Sequence, residues 1–505
     1  VASGDVTHDS AIVWSKTDRP ATMFVEYSTK PDFRPSRRSE GVTATAGNDF
    51  TAKALLKNLP SGHAIHYRVW FEDNGRVGTS VTGRFRTAPA PDKPADIFFA
   101  WSGDTAGQGF GINPEWGGMR IYESIRKLEP HFFIHSGDTI YADNPIPETI
   151  PLADGTIWRN VTTPAKSRQA ATLDDFRGNY RYNLLDENVR RFNAEVPMIV
   201  QWDDHEAANN WYPDQLIAGR KDASKLPGLQ DGRGLAKHAR QAFFEYMPIK
   251  PEEAERGRIY RSFKFGTSAE VFVLDQRSYR GPNSTNRQER QGRETAFLGA
   301  GQLAWLKRGL RESKATWKII ASDMPIGLII EDAMDGKPHY EGIANADAGA
   351  PSGRELEFAE LFEDLQQAQV RNVIWLTADV HYATALHYSP ERAGFKKSFE
   401  PFWEFVAGPL HAGTFGPNKL DATFGPEVRF EYAPKAGLVL PNGKKVPEGF
   451  KLPLPPSDGI QTFGTVKIDA LTQALTVEFR NVYGDLIHDG TRIGRFELQA
   501  RQSQQ

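Results

Sequence analysis

The chain has 505 residues, of which 39 % are hydrophobic and 25 % charged, with a formal net charge of −3 and no cysteine. That length suggests two or three domains, the near-balanced charge gives a polyanion such as DNA no global reason to bind, and the missing thiols exclude thiolate ligands and cysteine nucleophiles. No stretch reaches the roughly 18 uninterrupted apolar residues of a membrane helix, and the absence of cysteine leans towards an exported protein, periplasmic or secreted, with its signal segment removed.

Taken in chain order, residues 1–90 read as short strands separated by turns, at 10–14, 23–27, 64–71 and 83–87. Turn 56–62 followed by Tyr67 resembles a sandwich corner, in which the tyrosine hydroxyl ties its strand back to the preceding turn. The expectation is a small all-β domain of the immunoglobulin or fibronectin type, followed by a stiff proline-rich linker at 89–94. Residues 91–505 read differently, with short apolar runs at 97–101, 132–135, 198–201, 271–274, 317–321 and 373–376. Helical patterns at 119–127, 235–246, 300–312 and 355–367 lie between them, which predicts an α/β (α+β) core of layered sheets. Segments 145–172 and 388–459 are punctuated by proline and glycine and resist assignment. Residues 461–481 alternate again and predict a terminal hairpin.

Four of the apolar runs end in acidic or histidine clusters: Ser102-Gly103-Asp104, His135-Ser136-Gly137-Asp138, Trp202-Asp203-Asp204-His205-Glu206 and Thr377-Ala378-Asp379-Val380-His381. In α/β proteins the carboxyl ends of strands converge on one crevice. Carboxylates gathered there repel by about 4 kcal/mol per pair at ~4 Å and an effective dielectric near 20. Bound cations remove that cost, and oxygen and imidazole ligands suit iron, manganese, zinc or calcium. His381 follows Asp379 by two residues, so an extended segment turns both side chains to one face.

The motifs also carry a family resemblance. Gly137-Asp138-Thr139-Ile140-Tyr141 is similar to the Gly-Asp-x-x-Tyr motif of purple acid phosphatases and of D-type alkaline phosphatases (PhoD-like), both calcineurin-like metallophosphoesterases. Trp202-Asp203-Asp204-His205-Glu206 and Leu274-Asp275-Gln276-Arg277-Ser278-Tyr279-Arg280 resemble two further D-type segments, and Ala2-Ser3-Gly4-Asp5 with Ile12-Val13-Trp14 resembles that family's N-terminal β-sandwich. The resemblance implies a four-layer metallophosphoesterase β-sandwich flanked by helices. It implies that Asp138 bridges two metals, that Asp104, Tyr141 and His381 complete the first site, and that Asp204 and Asp379 hold the second. The cofactor it implies is a binuclear or multinuclear centre of Fe3+ plus a divalent ion, Ca2+ foremost, with Zn2+ or Mn2+ as alternatives. Where D-type relatives often carry Ser-Cys, this chain has Gly103-Asp104, closer to the purple acid phosphatase pattern.

Further roles follow from the same resemblance. His205 serves as general acid or charge stabiliser, and Arg277 either contacts phosphate oxygens or pairs with a surface carboxylate. Asn209 and Asn210 orient substrate or a ligand, and Asp323 is an additional ligand or an orienter. The activity implied is hydrolysis of a small phosphate ester, mono- or diester, by in-line attack of metal-bound hydroxide. One rival is a phosphodiesterase, or phospholipase D by outcome, with Trp116, Trp211, Tyr212 and Phe415 as an apolar wall. The other is a non-catalytic binding protein with a vestigial metal centre.

Overall fold

Along the buried strands successive side chains are apolar on both faces, so each strand demands a cover on either side. The computed structural model, which describes residues 1–219, 223–226, 228–332 and 337–501, meets that demand with two stacked sheets and outer helices. Phe99, Trp101, Ile134 and Ile199 from one sheet face Val271, Ile319, Ile374, Leu376 and Phe405 from the other. The intervening residues point outward: Phe133 and Val200 pack under helices Arg120–Lys127, Leu173–Asn183, Glu187–Glu195 and Gly232–Tyr246. Phe272, Ile320 and Trp375 pack under helices Gly299–Glu312 and Glu355–Gln367. The result is the expected four-layer arrangement of helices, sheet, sheet and helices.

The first sheet has nine strands, in the order Arg495–Leu498, Leu475–Asn481, Thr462–Ile468, Ile97–Ser102, Phe132–Ser136, Met198–Gln201, Ala2–Gly4, Ala11–Lys16, Thr51–Leu56. The second has seven: Arg261–Phe265, Ala269–Val273, Trp317–Ala321, Val373–Thr377, Phe402–Val406, Ala383–Tyr388, Pro426–Tyr432. The predicted terminal hairpin is present as Thr462–Ile468 and Leu475–Asn481. The unassigned segments contain a hairpin, Thr149–Pro151 with Ile157–Arg159, and the strands Phe402–Val406 and Pro426–Tyr432. Their brevity and their proline and glycine neighbours hid them from a reading by periodicity.

The N-terminal region is all-β, but its strands are shared between two sheets. Ala21–Ser28, Ala64–Asp73 and Val81–Arg86 form part of a separate sheet. Ala2–Gly4, Ala11–Lys16 and Thr51–Leu56 instead extend the nine-stranded sheet, with Gly4 beside Met198 in parallel register. Val13, Val25, Leu56, Ile65, Val69 and Phe85 fill the core between them. The Tyr67 corner is corrected by the same docking: its hydroxyl donates not to its own turn but to the Ala194 carbonyl, 3.0 Å away in helix Glu187–Glu195. A buried pair fastens the junction. Arg261 Nε and Nη2 lie 3.0 and 2.8 Å from Asp5 Oδ1, while Arg261 Nη1 donates to the Val200 carbonyl at 3.0 Å. Removing one partner of a buried pair strands the other's charge, so Asp5→Ala is expected to cost about 3–5 kcal/mol. Urea unfolding measures it, and a loss below about 1 kcal/mol would show that the pair does not fasten the sheets.

Candidate metal centre

Three neighbouring parallel strands, Ile97–Ser102, Phe132–Ser136 and Met198–Gln201, deliver the first three clusters, and Val373–Thr377 of the facing sheet delivers the fourth. Each chain must turn sharply as it leaves its strand. Asp104 (φ 70°), Asp138 (φ 50°), Asp379 (φ 67°) and His381 (φ 60°) all take the left-handed backbone region. Such non-glycine conformations cost about 1–3 kcal/mol each and persist where the surroundings enforce them, typically at functional sites. Gly137, at φ 88°, lets two of these turns touch, since a Cβ there would stand 2.4 Å from the Asp203 Cβ.

Among the described residues three sets of ligand atoms result, each mutually within 4.8 Å: Asp104, Asp138 and His381; Asp138, Asp204 and His205; and Asp203, Asp204 and Asp379. Asp138 and Asp204 each belong to two sets, so the sets form a chain through shared carboxylates. Tyr141 Oη lies 2.8 Å from His381 Nε2, which is itself 3.5 Å from Asp104 Oδ1. Both Asp104 oxygens and Asp203 Oδ2 are buried without a hydrogen-bond partner among the described residues. Buried carboxylate oxygens are seldom left so, and this donor set fits hard or borderline cations.

Side chains around the cluster fix its orientation. The Glu206 carboxylate accepts from the backbone N–H of Asp138 (3.1 Å), Thr139 (2.6 Å) and Asp203 (2.8 Å), clamping two ligand loops together. His381 Nδ1 donates to the Gly413 carbonyl at 2.6 Å, which leaves Nε2 its lone pair. Burial pulls His381 down to about 4, so the ring is neutral and competent to ligate. His205 Nδ1 lies 2.6 Å from Asp143 Oδ1, the Asp143 Oδ2 atom accepts from Asn209 N at 2.7 Å, and the Tyr141 ring stacks on the imidazole at 4.1 Å. That leaves His205 Nε2 facing inward, 3.9 Å from Asp204 Oδ2.

Without cations the cluster is electrostatically uncomfortable. Burial, followed by Asp203 and other neighbouring charges, raises Asp104 well above the usual carboxylate range; burial and Asp204 do the same to Asp138, and burial and Asp203 to Asp379. Asp204 goes the other way. Burial pushes it up, but His205, Arg277 and the Asn210 N–H more than offset that. For His205 burial favours the neutral ring, yet Asp143 and Asp204 outweigh it and hold the imidazole at about 9.

The structure brings Asp104, Asp138, Tyr141, Asp204, His205, Asp379 and His381 together and sets Arg277, Asn209, Asn210 and Asp323 around them. Asp379 and His381 reach the two end sets of that chain, through left-handed turns rather than through an extended segment. The Arg277 side chain is 0 % exposed and its nitrogens face Asp203, Asp204, Asp323 and Glu341. Its partners are buried carboxylates and not a surface one. Asp323 lies 3.7 Å from the Arg277 Nε, outside the three ligand sets. Asn209 and Asn210 act through their backbone N–H groups, onto Asp143 and onto Asp204 Oδ2 at 2.6 Å. Of the proposed apolar wall, Trp211 is buried against Trp202 and Trp116 packs on Trp158, whereas Phe415 lies beside His381 with ring centroids 5.4 Å apart. Asp203, Asp143 and Glu341 were not singled out from the sequence. The doubled Asp203-Asp204 was the one available signal.

A family model described as PhoD-like phosphatase matches residues 99–479, and one described as the PhoD-like phosphatase N-terminal domain matches residues 1–89. Among curated proteins, alkaline phosphatase D of Bacillus subtilis (strain 168) is 26 % identical over 448 residues, covering 83 % of this chain and 70 % of the relative. Among solved structures, that of PhoD superposes with a TM-score of 0.71 at 21 % identity, covering 99 % of this chain and 89 % of the other. A purple acid phosphatase from yellow lupin (Lupinus luteus) seeds gives a TM-score of 0.54 at 14 % identity, covering 99 % and 73 %. At those identities the two superpositions establish a shared fold.

Proposed function

Since the chain belongs to the PhoD-like phosphatase family, we propose that it hydrolyses small phosphate esters at a centre of two or more cations. Asp104, Asp138, Tyr141 and His381 would hold one ion, and Asp138, Asp204, Asp203 and Asp379 the next. The observation that carries this reading is the chain of three ligand sets sharing Asp138 and Asp204. When bound, the ions polarise phosphoryl oxygens and acidify a water. The protein's own groups do the rest. Asp138, a member of two ligand sets, would serve both ions, Gly413 and Glu206 keep His381 and the loops from rotating away, and Asp143 holds the Nδ1 proton of His205. His205 Nε2 is thereby aimed at the centre, where it delivers a proton to the departing oxygen.

A phenol beside carboxylates ionises only next to a strongly polarising ion, which favours Fe3+ at Tyr141, while the oxygen-only set around Asp203, Asp204 and Asp379 suits Ca2+ or another hard divalent ion. Phe415 beside His381 favours substrates with an organic group to cover it, mono- or diester alike. No helix among the described residues is long and apolar enough to cross a membrane; placement in the periplasm or outside the cell is supported by the cysteine-free composition.

The test is removal of bound ions with a chelator, then re-addition of iron, calcium, manganese or zinc singly and in pairs. Hydrolysis of 4-nitrophenyl phosphate and of its bis-ester is followed throughout. Turnover is expected to fall by at least about three orders of magnitude on chelation and to recover on reloading. A protein free of metal by elemental analysis that still hydrolysed either ester would overturn the proposal. A broad visible charge-transfer band in the loaded protein would locate iron at Tyr141.

A further inference from the structure

Arg277 is held in place before it meets any ligand. Asp275 Oδ1 accepts from the Arg277 N–H at 3.1 Å, from Ser278 N at 2.9 Å and from the Trp202 indole at 2.9 Å. Trp202 immediately precedes Asp203 and Asp204, so one carboxylate registers the arginine against that ligand pair. The guanidinium then spans four acids. Its Nε and Nη2 both lie 2.5 Å from Asp203 Oδ1, Nη2 is 3.7 Å from Asp204 Oδ1, Nε is 3.7 Å from Asp323 Oδ2, and Nη1 donates to Glu341 Oε1. Glu341 is itself anchored, because Arg354 Nη1 donates to the carbonyls of Tyr340 (2.9 Å), Glu341 (2.6 Å) and Gly342 (3.0 Å). Arg277 is wholly buried, and both Asp323 oxygens lack a hydrogen-bond partner among the described residues. A buried charge survives only when paired, and here one guanidinium faces both Asp203 and Asp204.

We propose that Arg277 is a resident cation of the metal centre, a positioning residue whose guanidinium holds the inner corner formed by Asp203, Asp204, Asp323 and Glu341, turns Asp203 and Asp204 towards the ions, and keeps a further divalent ion out of that corner. The inference rests on the metal-centre reading above and deepens it. An arginine suits the task because its planar fork bridges several carboxylates at once and its charge is permanent. A lysine keeps the charge but loses the fork.

Equilibrium titration of chelator-treated protein with Mn2+, combined with elemental analysis and steady-state kinetics, tests the idea. Arg277→Gln is expected to bind one more Mn2+ per chain than the wild type, with the affinity of the original sites weakened about 10–100-fold. Its kcat should fall while KM changes little, and raising free Mn2+ should restore part of the kcat. Arg277→Lys should keep the wild-type ion count. Arg277→Gln combined with Asp323→Asn removes one acid along with the cation and should return the ion count to the wild-type value; this double variant also serves if Arg277→Gln alone fails to fold. A folded Arg277→Gln with unchanged ion count and affinity overturns the proposal, as does a double variant that retains the extra ion. The wild-type titration separates the two readings: if the wild type binds no ion and hydrolyses nothing, the metal-centre reading itself fails, whereas normal wild-type loading with an indifferent Arg277→Gln removes only the role of Arg277.

Discussion

Asp138→Asn is expected to strip the protein of its ions and to lower turnover by at least about three orders of magnitude, the several kcal/mol of charge stabilisation that a catalytic metal supplies. Asp138 contributes to two of the three ligand sets, so one lost charge weakens two positions together. The amide preserves shape: its oxygen still accepts the His205 N–H, which now sits 3.0 Å from Asp138 Oδ1. The effect should therefore be electrostatic rather than a failure to fold. In ion-free protein burial and Asp204 oppose the Asp138 charge, so the ion-free variant should unfold at or above the temperature of ion-free wild type. What it loses is the rise in unfolding temperature that added ions give the wild type. Elemental analysis and thermal unfolding with and without ions check both statements, and an Asp138→Asn protein carrying the full ion complement would contradict the assignment.

His205→Ala should behave in the opposite sense, keeping its ions but losing turnover by about 10²–10⁴, the range of general acid catalysis. The loss should be steep for alkyl phosphates, whose leaving oxygen needs a proton, and shallow for 4-nitrophenyl phosphate, whose leaving group departs as an anion. Asp143→Asn, which spares the imidazole but removes the negative charge beside its Nδ1, should show the same leaving-group dependence at about 10–100-fold. His205 also shares a ligand set with Asp138 and Asp204. Ion content is therefore the deciding measurement: a fall in bound metal on His205→Ala would make the ring a ligand and not the proton donor.

Why some of this was legible in the sequence and some not has physical causes. Strands buried on both faces, such as Phe132–Ser136 and Val373–Thr377, announce themselves as apolar runs, and the acids that follow stand out by contrast. The Asp203-Asp204 pair does not by itself place both acids in one site, since neighbours in an extended segment point apart. The chain instead begins a turn there, with Ala207 and Ala208 both donating to the Asp204 carbonyl at 2.8 Å, and both acids reach the same set. Asp143 lies on the same loop as Asp138, but nothing in its spacing predicts a carboxylate under His205. Glu341 comes from a loop far along the chain, and only the folded structure brings it to Arg277. Tyr67 misled for a related reason. The corner motif describes a free-standing sandwich, while this one leans on a helix whose terminal carbonyl takes the hydroxyl.

The strand bearing Asp104 lies between Phe132–Ser136 and Thr462–Ile468, and the opening strand Ala2–Gly4 lies beside Met198–Gln201. During synthesis, then, Ala2–Gly4 has Ala11–Lys16 at hand but waits for nearly two hundred more residues before meeting Met198–Gln201, and Ile97–Ser102 lacks one of its flanks until residues 462–468 have emerged. Pairings so distant along the chain make for high contact order and slow closure. A nascent chain that stalls before that last hairpin carries the strand leading to Asp104 as an open sheet edge, the kind of exposed ladder that recruits other chains.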